Sequence, residues 1–149
     1  MGYPECADKL MEILTEVPGL SDKNVARGQY KILGMGNTVN VVLMQGRIPI
    51  HEKSDNTRYR TVWIVNIELY VGFAVDRLQV EADMEEYRQA IIDELDKHPT
   101  LDGTTGVVFA GFTEADEPSY GESVSKLWWK QTLVYEIEER QTVTYDAGG

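Results

Sequence analysis

The sequence predicts an α+β domain, a mixed or antiparallel sheet of four to five strands with two main helices packed mainly on one face. Two periodic runs and one ordering carry that prediction. Residues Tyr59 to Phe73 alternate with the period of two of a strand, and Gln79 to Lys97 repeat with the period of a helix. The order along the chain is helix, two or three strands, helix, two strands.

The first helix is predicted from about Pro4 to Thr15. Pro4 suits a first turn, and Cys6, Leu10, Ile13, Leu14 and Val17 follow at helical spacing. Val17-Pro18-Gly19 stops it and a loop follows. Gln29 to Leu33, a turn at Gly34 to Asn37, and Thr38 to Gln45 then read as a hairpin. Gly46 to Arg58 is polar and too long for a tight turn, so it is expected to project as an arm. In the long strand that follows, the odd positions Tyr59, Thr61, Trp63, Val65, Ile67, Leu69, Val71 and Phe73 are expected to face the core.

The second helix aligns Met84, Tyr87, Ile91 and Leu95 on one face, beside Val80, Ala90 and Ile92. Glu81, Asp83, Glu85 and Glu86 are read as crowding its positive end, and Lys97 and His98 as sitting at its negative end before Pro99. Val107 to Thr113 reads as a strand, Glu114 to Glu122 as an acidic loop and Ser125 to Arg140 as a long strand. Residues 1–145 form one domain in this reading, and 146–149 a flexible tail. Trp128 and Trp129 are adjacent in a strand and therefore point to opposite faces, so one indole packs inside and the other is covered by a helix or by another subunit.

With 14 basic and 25 acidic residues the net charge is −11, which opposes binding to phosphate backbones. The longest dense apolar stretch, Val62 to Val71, is broken by Asn66 and Glu68, so no membrane span is expected. Cys6 is the single cysteine and rules out an internal disulfide; it reads as a buried side chain in the first helix. No nucleophile–base pair, no metal-ligand spacing and no cofactor motif is visible around His51 or His98. Gly34-Met35-Gly36 lacks the third glycine of a dinucleotide fingerprint and reads as a turn. Glu114, Asp116 and Glu117 read as a solvated acidic loop.

Three stretches, Tyr59 to Tyr70, Ala90 to Gly103 and Trp128 to Glu139, resemble in order and spacing the tail terminator, or tail completion, proteins of long-tailed bacteriophages. The resemblance spans the chain from first helix to last strand and is one of layout, without a catalytic motif. It implies a subunit of a hexameric ring at the head-proximal end of the tail tube, which ends tube growth and offers a surface for head attachment. It implies as partners further copies of itself, the tail tube protein and a head–tail connector or stopper protein, with assembly in the host cytoplasm. DNA would pass through the lumen without specific binding, and a negative lumen suits that passage. No invariant residue carries over. The subunit-interface residues Arg47, His51, Glu52, Lys53, Asp55 and Arg58 are therefore read from the polarity of the arm, and Trp128 from its place beside Trp129. Another neck protein is the alternative within virion assembly, and a small ligand-binding or enzymatic domain using the acidic loop is the alternative outside it.

Overall fold

The computed structural model describes residues 3–28, 38–46, 50–53, 58–72, 77–104, 106–123 and 126–142. In chain order its elements are α1 (Tyr3–Leu14), β1 (Val25–Arg27), β2 (Val39–Gln45), β3 (Ile50–Lys53), β4 (Arg58–Gly72), α2 (Arg77–Asp96), β5 (Val107–Ala115), β6 (Ser119–Ser123) and β7 (Lys126–Thr142). Seven strands occupy five positions across one mixed sheet, in the order β1-β2-β4-β7-β5, with β3 also on β4 and β6 also on β7. This is the predicted α+β class.

The two long strands form the centre, antiparallel from Arg58↔Thr142 to Gly72↔Trp128 without a register shift. Their alternation divides the sheet into two faces. Val65, Ile67, Leu69 and Val71 of β4 join Val39, Val41 and Leu43 of β2 and Leu133, Tyr135 and Ile137 of β7 on the face covered by the helices. From α1 come Cys6, Leu10, Ile13 and Leu14, and from α2 come Val80, Met84, Ile91 and Leu95. The apolar rows run straight across the ladder: Ile67 is the register partner of both Leu43 and Leu133, and all three are buried. The odd positions 63 to 71 thus face the core as expected, while residues 73–76 lie outside the described set.

Helix α1 stops where Glu16 and Val17 donate to Ile13 and Leu14 in tighter turns. Gly19 then takes φ +87°, and a Cβ there would meet Tyr87 Oη at 2.7 Å, so only glycine lets the chain pass α2. Asn24 ties the connection by accepting from the Ser21 amide and donating to the Gly19 carbonyl.

The structure corrects the sequence reading at four places. Val25–Arg27, expected in a loop, is a strand parallel to β2, whereas the expected hairpin partner 29–37 lies outside the described residues. Within the expected arm, Ile50–Lys53 pairs with β4 as a second piece of the edge that β2 begins. Four residues, 46–49, separate the two pieces where β4 spends two, 63 and 64. Gly46 sits at this break, and an added Cβ would lie 2.7 Å from Ile64 Cγ2. Most of the expected acidic loop is strand: Glu114 and Ala115 end β5, and residues 119–122 lie in β6, paired with the start of β7. Finally, α2 begins at Arg77, so its first turn holds no acid, and Glu81 and its acidic neighbours lie beyond the reach of the helix end. The C-terminal tail 146–149 lies outside the described residues.

No helix among the described residues is long and apolar enough to cross a membrane.

Ile67 touches both helices' layer from the middle of the ladder, and it is fully buried. Ile67→Ala is expected to lower unfolding stability by about 2–5 kcal/mol in a denaturant titration. A loss below about 1 kcal/mol would contradict this packing.

Candidate functional site

The residues expected at a subunit interface do not come together in one place. Arg47 and Asp55 lie outside the described residues. His51, Glu52 and Lys53 fall on β3 opposite Thr61, Arg60 and Tyr59, and Arg58 opens β4 opposite Thr142. Among its described residues the arm is thus strand, with β3 paired antiparallel along one edge of the central ladder. Trp128 is elsewhere and only 1% exposed within the chain itself. Its register partners on both sides are glycines, Gly72 on β4 and Gly121 on β6, which leave room for an indole to lie over the sheet. Trp128 is therefore a packing residue with no surface to offer a neighbouring subunit.

Trp128 belongs to the face opposite the helices, with Val42 and Tyr70. Its ring meets that of Tyr70 edge to face at 6.3 Å and 84°. Lys130, the direct partner of Tyr70, stands 5.7 Å over the Tyr70 ring and reaches the buried carboxylate of Glu68 at 2.7 Å. The Tyr70 hydroxyl donates to the same Glu68 oxygen at 3.1 Å. This arrangement lets an apolar patch and a buried charge share one face, because the carboxylate has both a cation and a hydroxyl on it.

Farther along, Arg60 and Arg140 are direct cross-strand partners, a like-charge pairing that costs energy by itself. Glu138, diagonal to Arg60, relieves it: Arg60 Nε donates to one of its oxygens at 2.6 Å and Arg140 lies 3.2 Å from the other. The Arg60 guanidinium, and then Arg140, hold the Glu138 carboxyl below its ordinary 4.5. Between these two polar groups lies a shallow pocket of about 230 Å³ lined by Ile64, Asn66, Glu114 and Val134. Along this face the two ion-paired groups are thus separated by Val62, Ile64, Asn66 and Val134, and the apolar patch of Trp128 lies beyond Glu68.

The outermost strand on the β7 side is β5, and none of the described residues pairs with its far edge. A register shift between Val107 and Phe109 leaves Val108 bulged, and Val108 and Phe109 are 44% and 57% exposed. Asp116, expected as solvated acid, latches the β5–β6 connection: it accepts from the Thr132 amide at 2.7 Å and its own amide donates back to Thr132 at 3.0 Å. A second pocket, about 210 Å³, lies between this connection and α2 and is lined by Glu81, Met84, Glu85, Arg88, Pro118 and Trp129. Arg88 donates there to Gln131 at 3.2 Å, tying α2 to β7.

Two of the titratable groups singled out by sequence, Cys6 and His98, have structural roles. Burial, followed by the charges of Glu139 and Glu5, pushes the Cys6 thiol up to about 11, so it stays protonated and packs in the core. His98 bonds through Nδ1 to Asp102, and this bond first of all raises its pKa above 6.5. Asp102, lowered in turn by His98 and then Lys9, sits in a left-handed turn at φ 57° and is 3.1 Å from Lys9 of α1. Nε2 of His98 lies 3.5 Å from Glu94, and Glu16 completes a cluster within 4.8 Å. Sequence inspection missed this grouping because Glu16 lies at the other end of the helix layer's sequence; only the His98–Asp102 spacing next to Pro99 hinted at a turn.

Replacing Arg60 by Gln removes the main cause of the low Glu138 pKa, and its carboxyl titration, followed by carbon-13 NMR, is expected to move up toward 4.5. The sign for stability follows. A carboxylate lowered in the folded state stabilises above its unfolded value of 4.5, and that contribution disappears as pH falls through the folded value. Arg60→Gln should therefore cost stability at neutral pH and much less in acid. An unchanged Glu138 titration would contradict the pairing.

Compared with known proteins, the chain matches no family model, and no curated protein matches it.

Proposed function

We propose that the chain is a structural subunit of a phage tail terminator ring, hexameric and seated on the head-proximal end of the tail tube. The observation that carries this reading is the layout of the three stretches Tyr59 to Tyr70, Ala90 to Gly103 and Trp128 to Glu139, which resembles that of the tail terminators.

Three features support it. A ring built from identical subunits needs two unlike contact surfaces on each copy. The sheet has unlike ends: the three-residue parallel β1 on one side, and on the other β5 with Val108 and Phe109 in solvent. An edge strand with exposed apolar residues is a surface that another chain can cover. The pairing of β3 with β4 offers a second, polar contact that carries Glu52, Lys53 and Arg58, charges of both signs, beside His51, which suits orientation more than affinity. The net charge of −11 suits a passage through which DNA slides without being held. In this reading the partners are further copies of the chain, the tail tube protein and a connector or stopper protein, and the work is done by buried area and charge complementarity.

In a phage whose copy of this gene is disrupted, tails are expected to vary in length and heads to lack attached tails, as scored by electron microscopy of lysates. Tails of normal length joined to heads would overturn the proposal.

A further inference from the structure

Side chains from two distant parts of the sequence meet where both helices end. Glu16 follows the last turn of α1, Glu94 lies in the last turn of α2, and His98 follows α2. One ligating atom of each lies within 4.8 Å of the other two. We propose that Glu16, Glu94 and His98 form a binding site for one borderline divalent cation of the zinc class, which staples the ends of α1 and α2 together. The site is independent of the assembly reading.

The geometry of the closest pair carries the proposal. Two ligands on one tetrahedral zinc, with bonds of about 2.1 Å, stand about 3.4 Å apart. His98 Nε2 and Glu94 Oε1 are 3.5 Å apart. The other oxygen of Glu94 is occupied by Lys97 at 3.2 Å, so Oε1 is the one that faces the cluster. Glu16 is exposed, and rotation of its side chain closes the third leg; water supplies the fourth position.

A second observation concerns the far side of the imidazole. Asp102 holds Nδ1, which turns Nε2 toward Glu94 and Glu16. A carboxylate on the distal nitrogen is the usual support of a metal-bound histidine, because it fixes the tautomer and the ring plane. Lys9, 3.1 Å from Asp102, fixes that carboxylate in turn. The field has the right sign as well. The C-terminal ends of both helices flank the cluster with partial negative charge, which Lys97, 3.2 Å from Glu94, offsets only in part. One imidazole with two carboxylates selects zinc-like ions over magnesium or calcium, which take shells of oxygen alone.

The test is calorimetric titration of zinc chloride into the tag-free full chain after chelator treatment, alongside melting curves with and without zinc. One ion per chain is expected, with a melting temperature that rises with free zinc, since binding to the folded state alone stabilises it. Asp102→Asn, which acts by positioning His98, is expected to weaken binding about 10- to 100-fold. Glu16→Gln, at an exposed position that leaves the fold intact, is expected to weaken it at least about 10-fold. The cobalt-loaded chain should show the intense visible absorption of a tetrahedral ion, lost in Glu16→Gln. His51→Ala removes the only other histidine and is expected to leave affinity unchanged. Absence of binding, equal affinity in Glu16→Gln, or loss of binding in His51→Ala would each overturn the site.

Discussion

The antiparallel pairing of β4 with β7 is the constraint on which the rest of the structure depends. It runs unbroken from Arg58↔Thr142 to Gly72↔Trp128, so a single register assigns every side chain of two long strands to one face or the other. A slip of β4 by one residue against β7 would turn Ile67 away from the helices and bring Glu68 beneath them. The short strands are guests of this ladder. β2 and β3 share the free side of β4, and β6 and β5 share the free side of β7. The helices then cover one face only.

That one-sidedness creates the chemical problem of the opposite face, which must carry Trp128, Tyr70 and Val42 beside charged residues. Two local solutions are visible. Glycines flank Trp128, whose indole is buried within the chain, and two carboxylates find counter-charges along the ladder, Glu68 with Lys130 and Glu138 with Arg60 and Arg140. Among the described residues, large apolar side chains remain exposed instead at the sheet's end, on Val108 and Phe109 of β5, and at the start of α2, on Leu78. If subunits associate, the contact therefore falls at the edge of the sheet and leaves the central face to its own ion pairs.

The parts legible in the sequence are those whose pattern is long enough to show a period. The odd positions of β4, the apolar stripe of α2 and the split of Trp128 from Trp129 follow directly from spacing. β1, β3 and β6 were not legible because nothing in Val-Ala-Arg, Ile-His-Glu-Lys or Ser-Tyr-Gly-Glu-Ser alternates; these segments become strands only because β2, β4 and β7 present unpaired backbone to them. The fate of Trp128 depended on register, since only pairing brings Gly72 and Gly121 to its sides. The cluster of Glu16, Glu94 and His98 was illegible for the same reason: it exists only once two helix ends are packed together.

The proposal that this α+β subunit closes into a ring is tested most directly by negative-stain electron microscopy of the purified full chain, alone and mixed with tail tube protein. Closed rings with sixfold averages, free or seated on one end of each tube, are the expected result. Particles that stay monomeric in both samples, with tubes left uncapped, would contradict it.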